Sequence, residues 1–123
     1  MLGYVTIGTR DLPRAVKFYD AIAKEMDTPR MMEFETFVAW GKPGGPAGVA
    51  VTLPYDKKPA CVGNGMMVAL QAKDQAQVKR IYELALSVGG TDEVPPCDRG
   101  GGFYAAYFRD LDGNKLNAFH MGG

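Results

Sequence analysis

The chain has 123 residues, of which 46% are apolar and 23% are charged, and this suits one globular domain with a hydrophobic core. Its 14 basic and 14 acidic residues balance, so charge gives no reason to expect a nucleic-acid or membrane partner. No apolar run is long enough to span a bilayer, and the start of the chain lacks the pattern of a signal peptide. We therefore expect a cytoplasmic protein. Its two widely spaced cysteines are expected to be reduced thiols, with a single bridge as the alternative.

The first half of the chain is typical of a strand, a helix and three further strands. The run from Tyr4 to Gly8 is short and β-branched, and Asp11 is suited to cap the helix that follows, with Pro13 in its first turn. Apolar residues then recur at helical spacing as Leu12, Ala15, Tyr19, Ile22 and Met26. Three strands are expected after the helix, at 30–35, 36–41 and 48–53.

The second half repeats this pattern, with Asp74 in the place of Asp11. A strand at 67–71 precedes a helix whose apolar stripe runs from Val78 to Val88, and Gly89 is suited to end that helix. Three more strands are expected at 91–95, 103–109 and 115–120. The last two form a hairpin, because Gly113 after Asp112 supplies the positive φ that a tight connection needs. We therefore predict a single domain at 1–123, with a βαβββ unit at 1–54, a polar linker at 55–63 and a second βαβββ unit at 64–123.

Two segments resemble motifs of a known family. The run RDLPRAVKFYD from Arg10 resembles the first-helix motif of the vicinal oxygen chelate superfamily, and RDLDGNKLNAF from Arg109 resembles its hairpin and last strand. That superfamily includes glyoxalase I, bleomycin-resistance proteins and extradiol dioxygenases, and the likeness covers nearly the whole chain. The run PYDKKPACVGNGMMVAL is similar to a bacterial glyoxalase-like subgroup. The resemblance implies an α+β fold in which two βαβββ units form curved mixed sheets around a cleft, and it implies a homodimer.

The resemblance also indicates where the metal-binding members of the superfamily place their ligands. Those members use the first and last strand of each unit, and the matching positions here are Tyr4, either Ala50 or Val51, Met67 and Asn117. Phenol, alkyl, thioether and amide groups are poor ligands for a divalent cation. The chain also contains a single histidine, His120. We therefore expect no metal site and no cofactor.

Strand alternation predicts which side chains line the cleft. The predicted ligand-binding residues are Tyr4, Thr6, Trp40, Met67, Tyr107, Asn117 and Phe119, with Arg99 and Tyr104 near the mouth. Such a wall of aromatic, thioether and amide groups suits a flat or partly apolar molecule held by a few polar anchors. The alternative for Trp40 and Tyr107 is a place in the core or an interface. The alternative for Tyr4 and Met67 is to fill a collapsed cleft.

Three functions are open on this reading. The preferred one is metal-free binding of a small, partly apolar or aromatic molecule, as in the drug-sequestering members of the superfamily. The alternative is a divergent lyase or isomerase of the lactoylglutathione lyase type, which could act through Tyr4, Asn117 and His120. The third is an assembly or regulatory module with a vestigial cleft. No catalytic residue is assigned, because the fold alone does not fix the function.

Overall fold

The computed structural model describes residues 1–122, so the last residue of the predicted second unit lies outside the described residues. Two βαβββ units follow one another, as predicted. The first unit contains β1 (Tyr4–Gly8), α1 (Leu12–Glu25), β2 (Arg30–Phe34), β3 (Phe37–Trp40) and β4 (Gly48–Thr52). The second contains β5 (Val68–Gln71), α2 (Gln75–Ser87), β6 (Thr91–Asp98), β7 (Phe103–Arg109) and β8 (Lys115–Met121).

Each unit forms one four-stranded mixed sheet. The strand orders are β1-β4-β3-β2 and β5-β8-β7-β6. In each sheet the first and last strands of the unit are parallel, and the other neighbours are antiparallel. The predicted α+β class with two mixed sheets is therefore confirmed.

Both helices begin at the aspartates that the sequence identifies as caps. The Asp11 carboxylate accepts a hydrogen bond from the amide of Arg14 at 3.1 Å, and the Asp74 carboxylate accepts one from the amide of Gln77 at 2.7 Å. Each bond satisfies an amide that has no partner within the helix. Helix α2 is followed by Gly89, whose φ of +103° is accessible to glycine without strain.

The two helices pack against each other and against the sheets, and together they form one core. Phe18 of α1, which the predicted apolar stripe omitted, is completely buried, and its ring centroid lies 6.5 Å from that of Phe108 in β7. Alternate strand residues face this core, among them Ile7, Val51 and Leu116. The core therefore contains residues of both units.

The remaining strand residues face away from the helices. We call the two resulting surfaces the first open face and the second open face. The first open face consists of Tyr4, Thr6, Phe34, Phe37, Ala39 and Ala50. The second includes Ala69, Phe103, Ala105, Tyr107, Lys115, Asn117, Phe119 and Met121.

The tip of the β7–β8 hairpin joins the two units. Asp112 accepts hydrogen bonds from the Thr9 hydroxyl at 2.6 Å, from the Arg10 amide at 3.0 Å and from the Arg14 guanidinium at 3.2 Å. The Asn114 amide nitrogen donates to the carbonyl oxygen of Gly8 at 2.9 Å. Hence the motif that carries the family resemblance fixes the end of β1 against the second unit.

A buried bond lies directly beneath this tip. The Tyr19 hydroxyl donates to the Asp110 carboxylate at 2.7 Å, and that carboxylate also accepts from the amides of Asp112 and Asn114, both at 2.9 Å. Both Tyr19 and Asp110 are buried. Burial, followed by the neighbouring Asp110 charge, raises the pKa of Tyr19 well above its ordinary value.

Two segments differ from the sequence prediction. Strand β6 was expected at 91–95 but continues to Asp98 through Pro95 and Pro96, with two register shifts against β7. It can do so because β6 is an edge strand, where a missing amide donor is tolerated. The connection between β4 and β5 is also longer than the predicted linker, because β5 begins only at Val68.

Candidate functional site

The first open face is an aromatic surface with a floor of small residues. The rings of Tyr4 and Phe37 meet edge to face with centroids 5.9 Å apart, and Phe37 lies 6.2 Å from Phe34. Between these rings, Ala39 and Ala50 are cross-strand partners and are completely buried. Tyr4 is nevertheless 45% exposed and Phe34 is 64% exposed. Apolar rings are thus presented to solvent on this face.

The second open face combines aromatic rings with one buried amide. Asn117 is the cross-strand partner of Tyr107, and Phe119 is the partner of Ala105. The rings of Phe103 and Phe119 stack with centroids 5.4 Å apart. Tyr107, Asn117 and Phe119 were all expected to share one surface, and the structure brings these three together.

The amide of Asn117 is the least satisfied polar group on this face. The residue is 1% exposed, and its Oδ1 atom has no hydrogen-bond partner within residues 1–122. A buried acceptor without a partner costs about 1–3 kcal/mol. A buried acceptor of this kind in a native fold is usually bound by a water or a ligand, or it has a role in function.

Met67 lies one residue before β5 and meets Thr6 at a small pocket. The pocket has a volume of about 80 Å³ and lies between the end of β1, the start of β5 and the linker residues Cys61, Val62, Gly63 and Met66. A neighbouring groove of about 370 Å³ is lined by Val62 to Met67 together with Arg109 and Lys115. The groove lies within the size range of small-ligand sites, whereas the pocket holds only a few waters.

The linker's part in this groove was missed from the sequence. Residues Gly63 to Gly65, at the end of the predicted linker and the start of the second unit, form part of its wall. Gly65 has a φ of +92°, which marks a sharp turn directly before Met66 and Met67. In the sequence, the apolar pair Met66 and Met67 directly after a glycine turn was the one feature that could have indicated this groove.

Trp40 does not belong to the open faces, so the expectation that it contacts a ligand there is wrong. Its side chain is 4% exposed and packs in the core beside Tyr19, with ring centroids 5.8 Å apart. Its Nε1 atom donates to the Asp20 carboxylate on α1 at 2.8 Å. Tyr104, expected near the cleft mouth, also packs against the core. Both side chains point towards the helices because they alternate with residues of the open faces.

The aromatic groups of each open face interact within their own unit. Every aromatic and cation–π pair on these faces joins residues of the same unit in the part of the chain that the structure describes. The bonds between units lie at the helices and at the hairpin tip. Tyr4 and Phe34 on the first face are exposed, and Tyr107 and Phe119 on the second are half-buried. Both faces therefore present rings to solvent.

The positions at which the resemblance would place metal ligands can now be read from the strand register. Ala50 pairs with Thr6 and lies on the first open face, whereas Val51 is buried in the core, so Ala50 is the matching position. The set is then a phenol, a methyl, a thioether and an amide, which does not fit a divalent cation. Residues 1–122 also contain no group of three or more His, Cys, Asp or Glu side chains placed to hold a metal.

His120 lies on the opposite side of β8 from Asn117. It lies on the same side of β8 as Leu116 and Ala118, which face the core, and its Nδ1 atom is 3.4 Å from the carbonyl oxygen of Ala72. It is thus not placed to exchange a proton with a molecule on the second open face.

Two consecutive βαβββ units with parallel first and last strands define a protein of the vicinal oxygen chelate type. The chain belongs to the Glyoxalase/Bleomycin resistance protein/Dioxygenase superfamily, whose family model matches residues 1–118. A comparison with functionally curated proteins gives no match. No helix within residues 1–122 is long and apolar enough to cross a membrane.

Solved structures with the same fold support this assignment. A glyoxalase/bleomycin resistance protein from Albidiferax ferrireducens is 31% identical with a TM-score of 0.89, and the match covers 98% of each chain. A superfamily member from Sphaerobacter thermophilus is 25% identical with a TM-score of 0.69, covering 98% of this chain and 96% of the other. A family enzyme from Burkholderia phytofirmans, at 15% identity and a TM-score of 0.76, shows the fold alone and covers 97% of both chains.

Proposed function

We propose that this chain binds a small, partly apolar or aromatic molecule without a metal ion. The observation that carries the proposal is the buried Asn117 amide, whose Oδ1 atom lacks a partner within the described residues. It lies among the rings of the second open face, where a ligand with a polar group could satisfy it. Thr6 and Met67 meet at the small pocket between the two units, and Tyr4 lies beside Thr6 on the first open face.

The proposal includes a homodimer. Phe34, Met67 and Met121 are 64%, 42% and 58% exposed in the single chain, and such side chains are costly to leave in water. A second copy that covers the open faces would bury them and deepen the shallow surfaces into a ligand site. The free cysteines are consistent with the proposed cytoplasmic location.

The alternative of a divergent lyase or isomerase has less support. Such a reaction needs a group that moves a proton near the bound substrate. His120 faces the other side of its strand, and the titratable group on the first open face is the phenol of Tyr4. Turnover of the glyoxalase substrate that is lost on changing Tyr4→Phe would overturn the binding proposal in favour of catalysis.

A thermal-shift screen of planar aromatic molecules tests the binding proposal. A ligand at about 100 times its Kd stabilises the folded state by about 2.7 kcal/mol, which raises the melting temperature measurably. Asn117→Leu should weaken the hits, whereas Gln75→Leu, an amide change on the exposed surface of α2, should not. The absence of hits, or stoichiometric zinc, nickel, iron or manganese in the purified protein, would contradict the proposal.

Sedimentation analysis tests the dimer. Phe34→Glu should shift the protein towards the monomer, because it places a charge on the first open face. The matched control is Tyr55→Glu, since Tyr55 is fully exposed in the linker and lies on neither open face. A wild-type monomer at tens of micromolar, or equal effects of the two changes, would count against the dimer.

A further inference from the structure

The second open face carries positive charge beside its rings. The guanidinium carbon of Arg99 lies 5.3 Å from the centroid of the Tyr107 ring, and the ammonium nitrogen of Lys115 lies 5.5 Å from the same centroid. Tyr107 is the cross-strand partner of Asn117. Both cations therefore contact the aromatic ring that lies beside the unpartnered amide of Asn117.

A carboxylate near these two cations pairs with Lys115, whereas Arg99 has no ion pair in the described part of the chain. Glu93 is bound by Arg109 through two hydrogen bonds of 3.1 and 3.0 Å, and it lies 3.8 Å from Lys115. The Asp98 carboxylate accepts from the amide of Gly100 at 2.7 Å. Arg99 itself forms no ion pair with a carboxylate within residues 1–122. One guanidinium therefore remains available to an anion.

The groove beside the linker continues this charged region. It is lined by Arg109 and Lys115 together with the apolar side chains of Val62, Met66 and Met67. The first open face, by comparison, presents aromatic rings, a threonine and alanines at the positions given by its register. Of the two open faces, the second is thus the one with cations beside its rings.

We propose that the second open face binds a planar organic carboxylate. Its anionic group meets Arg99 and Lys115 beside Tyr107, and its apolar body extends over Ala105 to Phe119. Asn117 and Phe119 are two residues apart on a strand, or about 7 Å, so a bicyclic ring spans the distance. The inference rests on the proposed ligand-binding function and adds the charge and approximate size of the ligand.

A pair of probes of equal shape tests the charge. 2-Naphthoate carries a carboxylate, and 2-naphthamide has the same ring without the charge. We expect the carboxylate to bind the full-length protein about two- to fivefold more tightly at low salt, since exposed charge pairs contribute modestly. Calorimetric titration in 0.5 M NaCl should reduce the difference, because salt screens exposed charges.

Arg99→Gln should abolish the preference for the carboxylate and leave binding of the amide unchanged. Arg80→Gln is the matched control, because Arg80 is an exposed arginine on α2 that pairs with Glu25. If both probes bind equally to the wild type, the anion inference is wrong but the ligand-binding function stands. If neither probe binds and neither raises the melting temperature, both the inference and the binding proposal are contradicted for this ligand class.

Discussion

Removing the Asp112 carboxylate tests whether the hairpin tip holds the two units together. In the wild type this group accepts hydrogen bonds from Thr9, Arg10 and Arg14 at the junction between β1 and α1. Its side chain is 5% exposed, although it carries a charge. Asp112→Ala removes the carboxylate that accepts all of these hydrogen bonds. The buried Thr9 hydroxyl then loses its bond to Asp112.

The size of the effect follows from the exposure of each partner. The bond from the Thr9 hydroxyl, at 1% exposure, is charge-assisted and buried, and such bonds contribute about 1.5–3 kcal/mol. The Arg10 amide adds about 1 kcal/mol. The side chains of Arg10 and Arg14 are 55% and 40% exposed, so their ion pairs are expected to add little. We therefore expect Asp112→Ala to lower the free energy of unfolding by about 3 kcal/mol.

Urea denaturation at one fixed protein concentration measures this difference, since association would otherwise change the apparent stability. Asp56→Ala is the control, because its carboxylate is exposed and accepts one local bond, from the amide of Lys58 at 3.0 Å. In a double-mutant cycle, Thr9→Val and Asp112→Ala should couple by about 1 kcal/mol. A loss no larger than that of Asp56→Ala would refute the role given to the hairpin tip.

The same site has a defined pH dependence. Burial works to raise the pKa of Asp112, but the bonds from Thr9 and Arg10 outweigh it and hold the pKa below its ordinary value. A lowered pKa in the folded state gives stability that is present above the unfolded pKa, about 4, and is lost as the pH falls through the folded pKa. The difference between the wild type and Asp112→Ala should therefore be constant near neutral pH and shrink only below about pH 4.

Three further changes address the core, the orphan amide and one close backbone contact. Burial and Asp110 raise the pKa of Tyr19, so its stabilising contribution is complete below pH 10 and falls by about 1.4 kcal/mol per pH unit above it. Urea melts between pH 8 and pH 11 should show that Tyr19→Phe removes this alkaline loss, and parallel slopes for both proteins would contradict it. Asn117→Leu should raise the melting temperature of the ligand-free protein by about 4 °C, because an unpartnered buried acceptor is removed, whereas a decrease would show that the amide is satisfied in solution. Gly90→Ala should cost at least about 2 kcal/mol by urea melt, since an added Cβ would lie 2.8 Å from two carbonyl oxygens, while Gly3→Ala, with nothing within 4 Å, should cost little.

The helices and the hairpin could be predicted because short-range chemistry determines them. Asp11 and Asp74 accept from amides three residues ahead, and Gly113 has the positive φ, +91°, that its turn requires. Each cap and the turn depend only on residues a few positions away, so the local sequence is sufficient to predict them. The order of the elements then followed from the repeat of the same pattern in the second half.

The orientation of Trp40 could not be predicted in the same way. Strand β3 is four residues long and apolar throughout, so alternation gives no indication of which face is buried. The deciding interaction is the bond from the indole to Asp20, which lies on a different element. The linker wall of the groove was missed for a related reason, because a loop has no periodicity from which its contacts could be inferred.

In the segment that begins at Arg109 and carries the family resemblance, different residues form the hairpin tip, the core and the open face. This explains why the segment predicts the fold better than the chemistry. Asp110 and Asp112 form the bonds of the hairpin tip, and Leu116 and Ala118 fill the core. Asn117 alternates with the last two and points to the open face, so a change there leaves the tip and the core intact. A chain can therefore keep every residue that builds this fold and still exchange the side chains that meet a ligand. The ligand must accordingly be inferred from the rings, the amide and the cations of the second open face, and the family match alone does not identify it.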